Sequence, residues 1–119
     1  MIERDEAVRA AEEWLQAWNA HDPDRVVARF ADDVVVYSPL AGRLRPGSNG
    51  VLRGKDAVLS YYRDGLAASP GLHFTLVEVC TGVDGITIVY RNQNDVVVTE
   101  TLILRSDGDA SEVRVSYGA

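Results

Sequence analysis

The sequence predicts an α+β fold, with three helices ahead of an antiparallel sheet that they cover on one face. Two observations carry this. The N-terminal half repeats its apolar residues at three- and four-residue spacing, whereas the C-terminal half alternates apolar with polar positions and is cut by short polar turns.

The first helix is predicted from about Arg4 to Ala20, where Ala7, Val8, Ala11, Trp14, Leu15 and Trp18 recur as one broad stripe. Asp22 can cap a second helix, because its carboxylate accepts from free amides while Pro23 loses nothing at the first helical position. Val26, Val27 and Phe30 are expected to face inward together. The β-branched and aromatic run from Val34 to Ser38 stops at Pro39 and predicts a strand. Gly42, Pro46, Gly47 and Gly50 mark the next segment as loop. A third helix is predicted from Lys55 to Ala68, with Val58, Leu59, Tyr62 and Leu66 on its stripe and Ser69-Pro70-Gly71 ending it. Strands follow at about His73–Cys80, Ile86–Arg91, Val96–Arg105 and Ser111–Tyr117, and the short turns between them imply antiparallel neighbours.

With 119 residues, 46% of them hydrophobic and 25% charged, the chain fits one domain spanning residues 1–119. Its net charge of −6 argues against a surface that tracks phosphates, so nucleic acid is not expected as a partner. No segment approaches the roughly 20 apolar residues that a membrane span needs. The start, Met-Ile-Glu-Arg-Asp-Glu, is acidic where a secretion signal is basic and then apolar, so a cytoplasmic location is expected. Cys80 has no cysteine to pair with and is expected to be a small core residue. No Cys or His spacing suggests a metal site, and no cofactor is expected.

The order helix, tight link, short helix, strand in Trp14–Pro39, with Asp22-Pro23 in the link and Ala31-Asp32-Asp33 before the strand, resembles the opening of the nuclear transport factor 2-like superfamily. The likeness is strongest to its ketosteroid isomerase-like and polyketide cyclase-like branches. Tyr61-Tyr62-Arg63-Asp64-Gly65-Leu66 and Val113–Gly118 also sit where those proteins have matching segments, so the resemblance spans nearly the whole chain. It implies a cone-shaped roll, in which a curved sheet wraps the long helix around a central pocket. It also implies a homodimer through the outer face of the sheet, where Thr99, Thr101 and Ile103 would be covered.

Carried over by position, the resemblance puts Ser38 where the isomerases hold their carboxylate base. A hydroxyl has no basic form near neutral pH, so steroid isomerisation of that type is not expected. Trp14 stands at the oxyanion tyrosine, Phe30 at a second pocket tyrosine, and Tyr62 keeps the helix tyrosine. Glu100 takes the place of the protonated aspartic acid.

Glu100 also stands out without the family, because alternation puts it on one strand face with Val96, Val98, Leu102 and Leu104. If that face is buried, desolvation raises its pKa and leaves a neutral donor or general acid; otherwise it forms an ion pair with Arg91 or Arg114. His73 is the histidine placed in a strand and so a candidate pocket base, with a solvated or capping role as the alternative. His21 falls in a helix link. Trp14 and Trp18 can stack on a ring-shaped ligand or simply fill the core. Tyr37 alternates away from Val34 and Val36 toward the outer side. Arg53-Gly54-Lys55 lacks the glycine-rich loop of an anion site. No strand interior carries the Asp-x-Arg pattern of the epoxide hydrolases that share this fold.

Three functions fit these residues. The first is acid–base catalysis on a small apolar cyclic ligand, of isomerase, cyclase or hydratase type, with Glu100 and Tyr62 as catalytic groups and Trp14, Phe30, Ser38 and His73 lining the pocket. The second is a binding module without turnover. The third is a dimerisation domain whose interior is filled by Trp14, Trp18 and Phe30.

Overall fold

The computed structural model describes residues 1–118. Helix α1 spans Arg4–Asn19, and Glu3 caps it by accepting from the amides of Asp5 and Glu6 at 3.0 and 2.9 Å. Its buried stripe is Ala7, Ala11, Trp14, Leu15, Ala17 and Trp18. Helix α2, Pro23–Val26, opens as expected with Asp22 accepting from the Arg25 amide. Strand β1 then runs Phe30–Tyr37, α3 Pro39–Leu44, β2 Val51–Arg53 and α4 Lys55–Ala68. Strands β3 (Thr75–Thr81), β4 (Gly85–Arg91), β5 (Val97–Leu104) and β6 (Ala110–Tyr117) complete the chain. The sheet order is β2-β1-β6-β5-β4-β3, antiparallel except where β1 runs parallel to β6.

The helices cover one face of this curved sheet. Ile86, Ile88 and Tyr90 of β4, Val98, Glu100 and Leu102 of β5 and Val34 and Val36 of β1 are buried there, beneath Trp14 and Trp18 of α1 and Val58, Tyr62 and Leu66 of α4. Apolar burial of this kind is the main favourable term in folding. The opposite face carries Thr87 and Thr101, whose hydroxyls lie 2.9 Å apart, and Tyr37, over whose ring Arg114 stacks at 4.0 Å. No helix is long and apolar enough to cross a membrane.

Four sequence expectations are corrected. Strand β1 begins at Phe30, not Val34, so Phe30 is buried as a strand residue beside a register break in the β1–β6 pairing. The stretch read as loop holds α3, started by Pro39 at its first turn, and the short strand β2. They fit because Asn49 and Gly50, with φ of 56° and 80°, reverse the chain, and a Cβ on Gly50 would sit 3.0 Å from the Ser38 carbonyl oxygen. The third difference is at His73, which is exposed and precedes β3. Finally, Cys80 is exposed rather than buried. Leu76 pairs with Tyr90 and Val79 with Ile88, so a bulge at Val77–Glu78 shifts the alternation and turns Cys80 outward beside Thr87.

The end of α1 is tied to the start of β3 by one side chain. The Asn19 amide donates to the Phe74 carbonyl at 2.9 Å and accepts from its N–H at 2.7 Å, copying a strand's pairing. His21, at φ 55°, places its ring Nε2 2.9 Å from the Leu72 carbonyl, so its role is to secure the same corner. Asn19→Ala is expected to lower unfolding free energy by about 1–2 kcal/mol, and Asn19→Asp by at least as much, since a carboxylate oxygen would then face the Phe74 carbonyl. Urea denaturation midpoints at constant slope check this.

Candidate functional site

A cavity of about 790 Å³ opens between α1, the α2–β1 segment and the β5–β6 turn. Its floor is the concave face of the sheet at Ile86, Ile88, Leu102 and Leu104, and Trp14 and Phe30 stand in its walls. Alternation on β4 and β5 supplies that floor, while helical spacing puts Trp14 over it. Trp14, Trp18 and Phe30 are all buried, yet Trp14 and Phe30 still border this open space, so the three do not pack the interior solid.

Glu100 lies one step further along the same floor. Its cross-strand partner Ile88 and its same-face neighbour Leu102 both line the cavity. The side chain is 4% exposed and accepts a hydrogen bond from the Tyr90 hydroxyl at 2.6 Å. It makes no ion pair among the described residues; Arg91 and Arg114 bind Asp95 and Glu112 on the other side of the sheet. Burial pushes the Glu100 carboxyl up to about 8, against a smaller downward pull from the Tyr90 bond. At neutral pH it therefore holds its proton and has an O–H to donate.

Aromatic rings pack this carboxyl in. Tyr90 stacks on Phe74 at 4.2 Å between ring centres and meets Trp14 edge-on at 6.1 Å. Trp14 meets Trp18 at 6.0 Å, Trp18 meets Tyr62 at 4.7 Å and Phe30 meets Tyr62 at 6.3 Å. Within this cluster the indole N–H groups of Trp14 and Trp18 and the hydroxyl of Tyr62 are buried without a hydrogen-bond partner. Burial and then the nearby Glu100 raise the Tyr62 and Tyr90 hydroxyls far above their ordinary range, so both remain donors. A buried donor left unpartnered costs about 1–3 kcal/mol, so this cluster is the most polar-strained part of the interior among the described residues.

Ser38 is buried at the end of β1 and caps nothing with its side chain. Burial raises the phenols of Tyr61 and Tyr117, Tyr117 to about 12, and the nearby Ser38 hydroxyl offsets a small part of the rise in both. Of the expected site residues, Trp14 and Phe30 line the cavity, Tyr62 and Glu100 are buried in the packed layer beside it without lining it, Ser38 lies near Tyr61 and Tyr117, and His73 is outside. Sequence reasoning missed Tyr90, although alternation with Ile86 and Ile88 pointed it at the same face. Among the described residues no group of three His, Cys, Asp or Glu side chains is placed to hold a metal ion.

Helices laid across a curled six-stranded sheet, with a cavity on its concave face, define the cone fold of the nuclear transport factor 2-like superfamily. Residues 11–117 match the model of the SnoaL-like domain, and the chain belongs to that family. It is similar over its full length to a SnoaL-like protein of unknown function from Burkholderia thailandensis, at 32% identity, 100% coverage of both chains and a TM-score of 0.93. Two more distant structures share the fold. One is an epoxide hydrolase/cyclase-like enzyme of pyran ring formation in the polyether salinomycin, at 16% identity, 99% and 95% coverage and a TM-score of 0.73. The other is a SnoaL-like family protein from Agrobacterium tumefaciens described as a candidate isomerase, at 15% identity, 95% and 97% coverage and a TM-score of 0.73. The comparison with proteins of curated function finds no match.

The raised pKa of Glu100 has a definite sign in stability. Below its unfolded value of about 4.5 both states are protonated; between there and about 8 only the unfolded state has released the proton, so the fold loses stability as pH rises. Glu100→Gln removes this loss. The stability of the Gln variant relative to wild type is expected to climb between pH 5 and 8 by up to about 1.4 kcal/mol per pH unit, measured by denaturant unfolding.

Proposed function

We propose that the protein binds a small, apolar, ring-containing ligand carrying an oxygen acceptor, and that neutral Glu100 assists chemistry at that oxygen. The observation that carries this reading is the buried carboxyl held by Tyr90 inside an aromatic cluster whose other donors have no acceptor. An acid aimed at a carbonyl or epoxide oxygen strengthens its hydrogen bond as negative charge develops there, and a dry site magnifies the effect. Isomerisation, ring closure and hydration all pass through such a charge. The family and its cyclase-like and isomerase-like neighbours support this class of reaction without naming a substrate.

Tested on cyclic ketones and epoxides, Glu100→Gln should keep ligand affinity within about threefold while turnover falls by about a hundredfold or more. Glu100→Ala should abolish turnover. Turnover that survives in Glu100→Ala defeats the catalytic role.

A second reading, binding without turnover, is favoured by Ser38. Glu100 and Ser38 are the buried charged and hydroxyl-bearing aliphatic side chains among the described residues, so the interior holds one acid and no carboxylate base. Saturable binding by the wild type with no conversion of any panel member selects this reading.

The protein is further proposed to pair through the outer face of the sheet, which presents partly exposed Thr99, Thr101 and Ile103 and an exposed Val77. Sedimentation at micromolar concentration should then give twice the chain mass of 13.0 kDa. A single species at the chain mass rules the dimer out.

A further inference from the structure

We infer that the cavity selects ligands with an anionic head, a carboxylate or comparable oxyanion, held by Arg25 and Arg29 at its mouth while the apolar body lies on the sheet. This rests on the reading of the cavity as a ligand site and adds the charge of the ligand to it. The chain has 18 acidic and 12 basic side chains, so an anion is repelled at long range and any preference for one must be local. The cavity lining nevertheless holds Arg9, Arg25, Arg29 and Arg105 against Glu6, Glu13 and Asp107.

The charges are sorted by wall. On α1, Arg9 sits three residues after Glu6 and four before Glu13, the spacing at which helical charges offset one another. Across the mouth, Arg105 is taken by Asp33 at 2.6 Å, and Asp107 turns back to accept from the Asp109 amide at 2.8 Å. Arg25 and Arg29 remain, exposed and with no ion pair among the described residues.

Arg29 is also positioned. Its carbonyl accepts from the Ala110 N–H at 2.8 Å, fixing its backbone to the start of β6. Its guanidinium rests against Gly108 of the β5–β6 turn, where an added Cβ would lie 2.8 Å from the terminal nitrogen. Gly108 has φ of 91° and leaves the room that this contact uses. A guanidinium that no side chain of the described residues engages is free to form the two-pronged bond that suits a carboxylate.

Two fluorescent dyes with the same ring system separate charge from apolar binding: anilinonaphthalene sulfonate, which is anionic, and N-phenylnaphthylamine, which is neutral. In low salt, Arg25→Gln/Arg29→Gln is expected to weaken the sulfonate dye by about fivefold or more and the neutral dye by less than about twofold. Arg53→Gln/Lys55→Gln removes the same charge elsewhere and should change neither. Ala10→Phe, which places a ring in the mouth from the exposed side of α1, should exclude both dyes. Unchanged sulfonate affinity in the Arg25/Arg29 variant overturns the inference, as does an equal loss in the Arg53/Lys55 variant; in either case neutral dye binding leaves the ligand-site reading standing. Failure of both dyes to bind the wild type, or their retention in Ala10→Phe, removes that reading and the inference with it.

Discussion

Two tryptophans, four residues apart on α1, decide what the interior of this cone can be. Trp18 packs onto Tyr62 and Phe74 and closes one part of the concave face, while Trp14 turns its edge to Tyr90 and leaves open the space along Ile86, Ile88 and Leu102. Edge-on and offset packing of this kind is favourable beyond the area it buries, so the arrangement is stable as well as dry. Dryness is what gives Glu100 its proton. The same packing therefore sets the shape of the cavity and the chemical state of its only buried carboxyl among the described residues.

A neutral acid beside donors that have no partner among the described residues is a costly interior. The cost is electrostatic and falls on the Trp14, Trp18 and Tyr62 donors, while Glu100 is offset by its Tyr90 bond. Ser38 marks the other boundary of this chemistry. Buried near Tyr61 and Tyr117, it gives the end of β1 a hydroxyl where the isomerase pattern has a carboxylate base.

Much of the fold was legible because it is written in periods. The α1 stripe, the Asp22 cap, α4 and the four C-terminal strands follow from spacing alone, and alternation on β5 singled out Glu100. What escaped was set by single contacts. The reversal at Asn49 and Gly50 creates β2 through one close approach to Ser38, and a bulge in β3 turns Cys80 outward; neither leaves a periodic trace. The site was partly legible for the same reason. Positions on α1, α4 and β5 could be placed on a face, whereas Tyr90 as partner to Glu100, and the arginines brought together from α1, α2 and the β5–β6 turn, depend on tertiary neighbours.

The β3 bulge reaches beyond the position of Cys80. Strand β3 is one edge of the sheet, and the chain's own start meets it: the Arg4 guanidinium donates to the Val79 carbonyl within the strand and the Ile2 N–H to Gly82 just past its end, each at 3.2 Å. The other edge, β2, is three residues long. Bent and covered on one side and truncated on the other, the sheet offers no template along which another strand could extend it. The pairing proposed above uses a face of the sheet, where association ends at a closed pair, and not an edge, where it would have no natural stop.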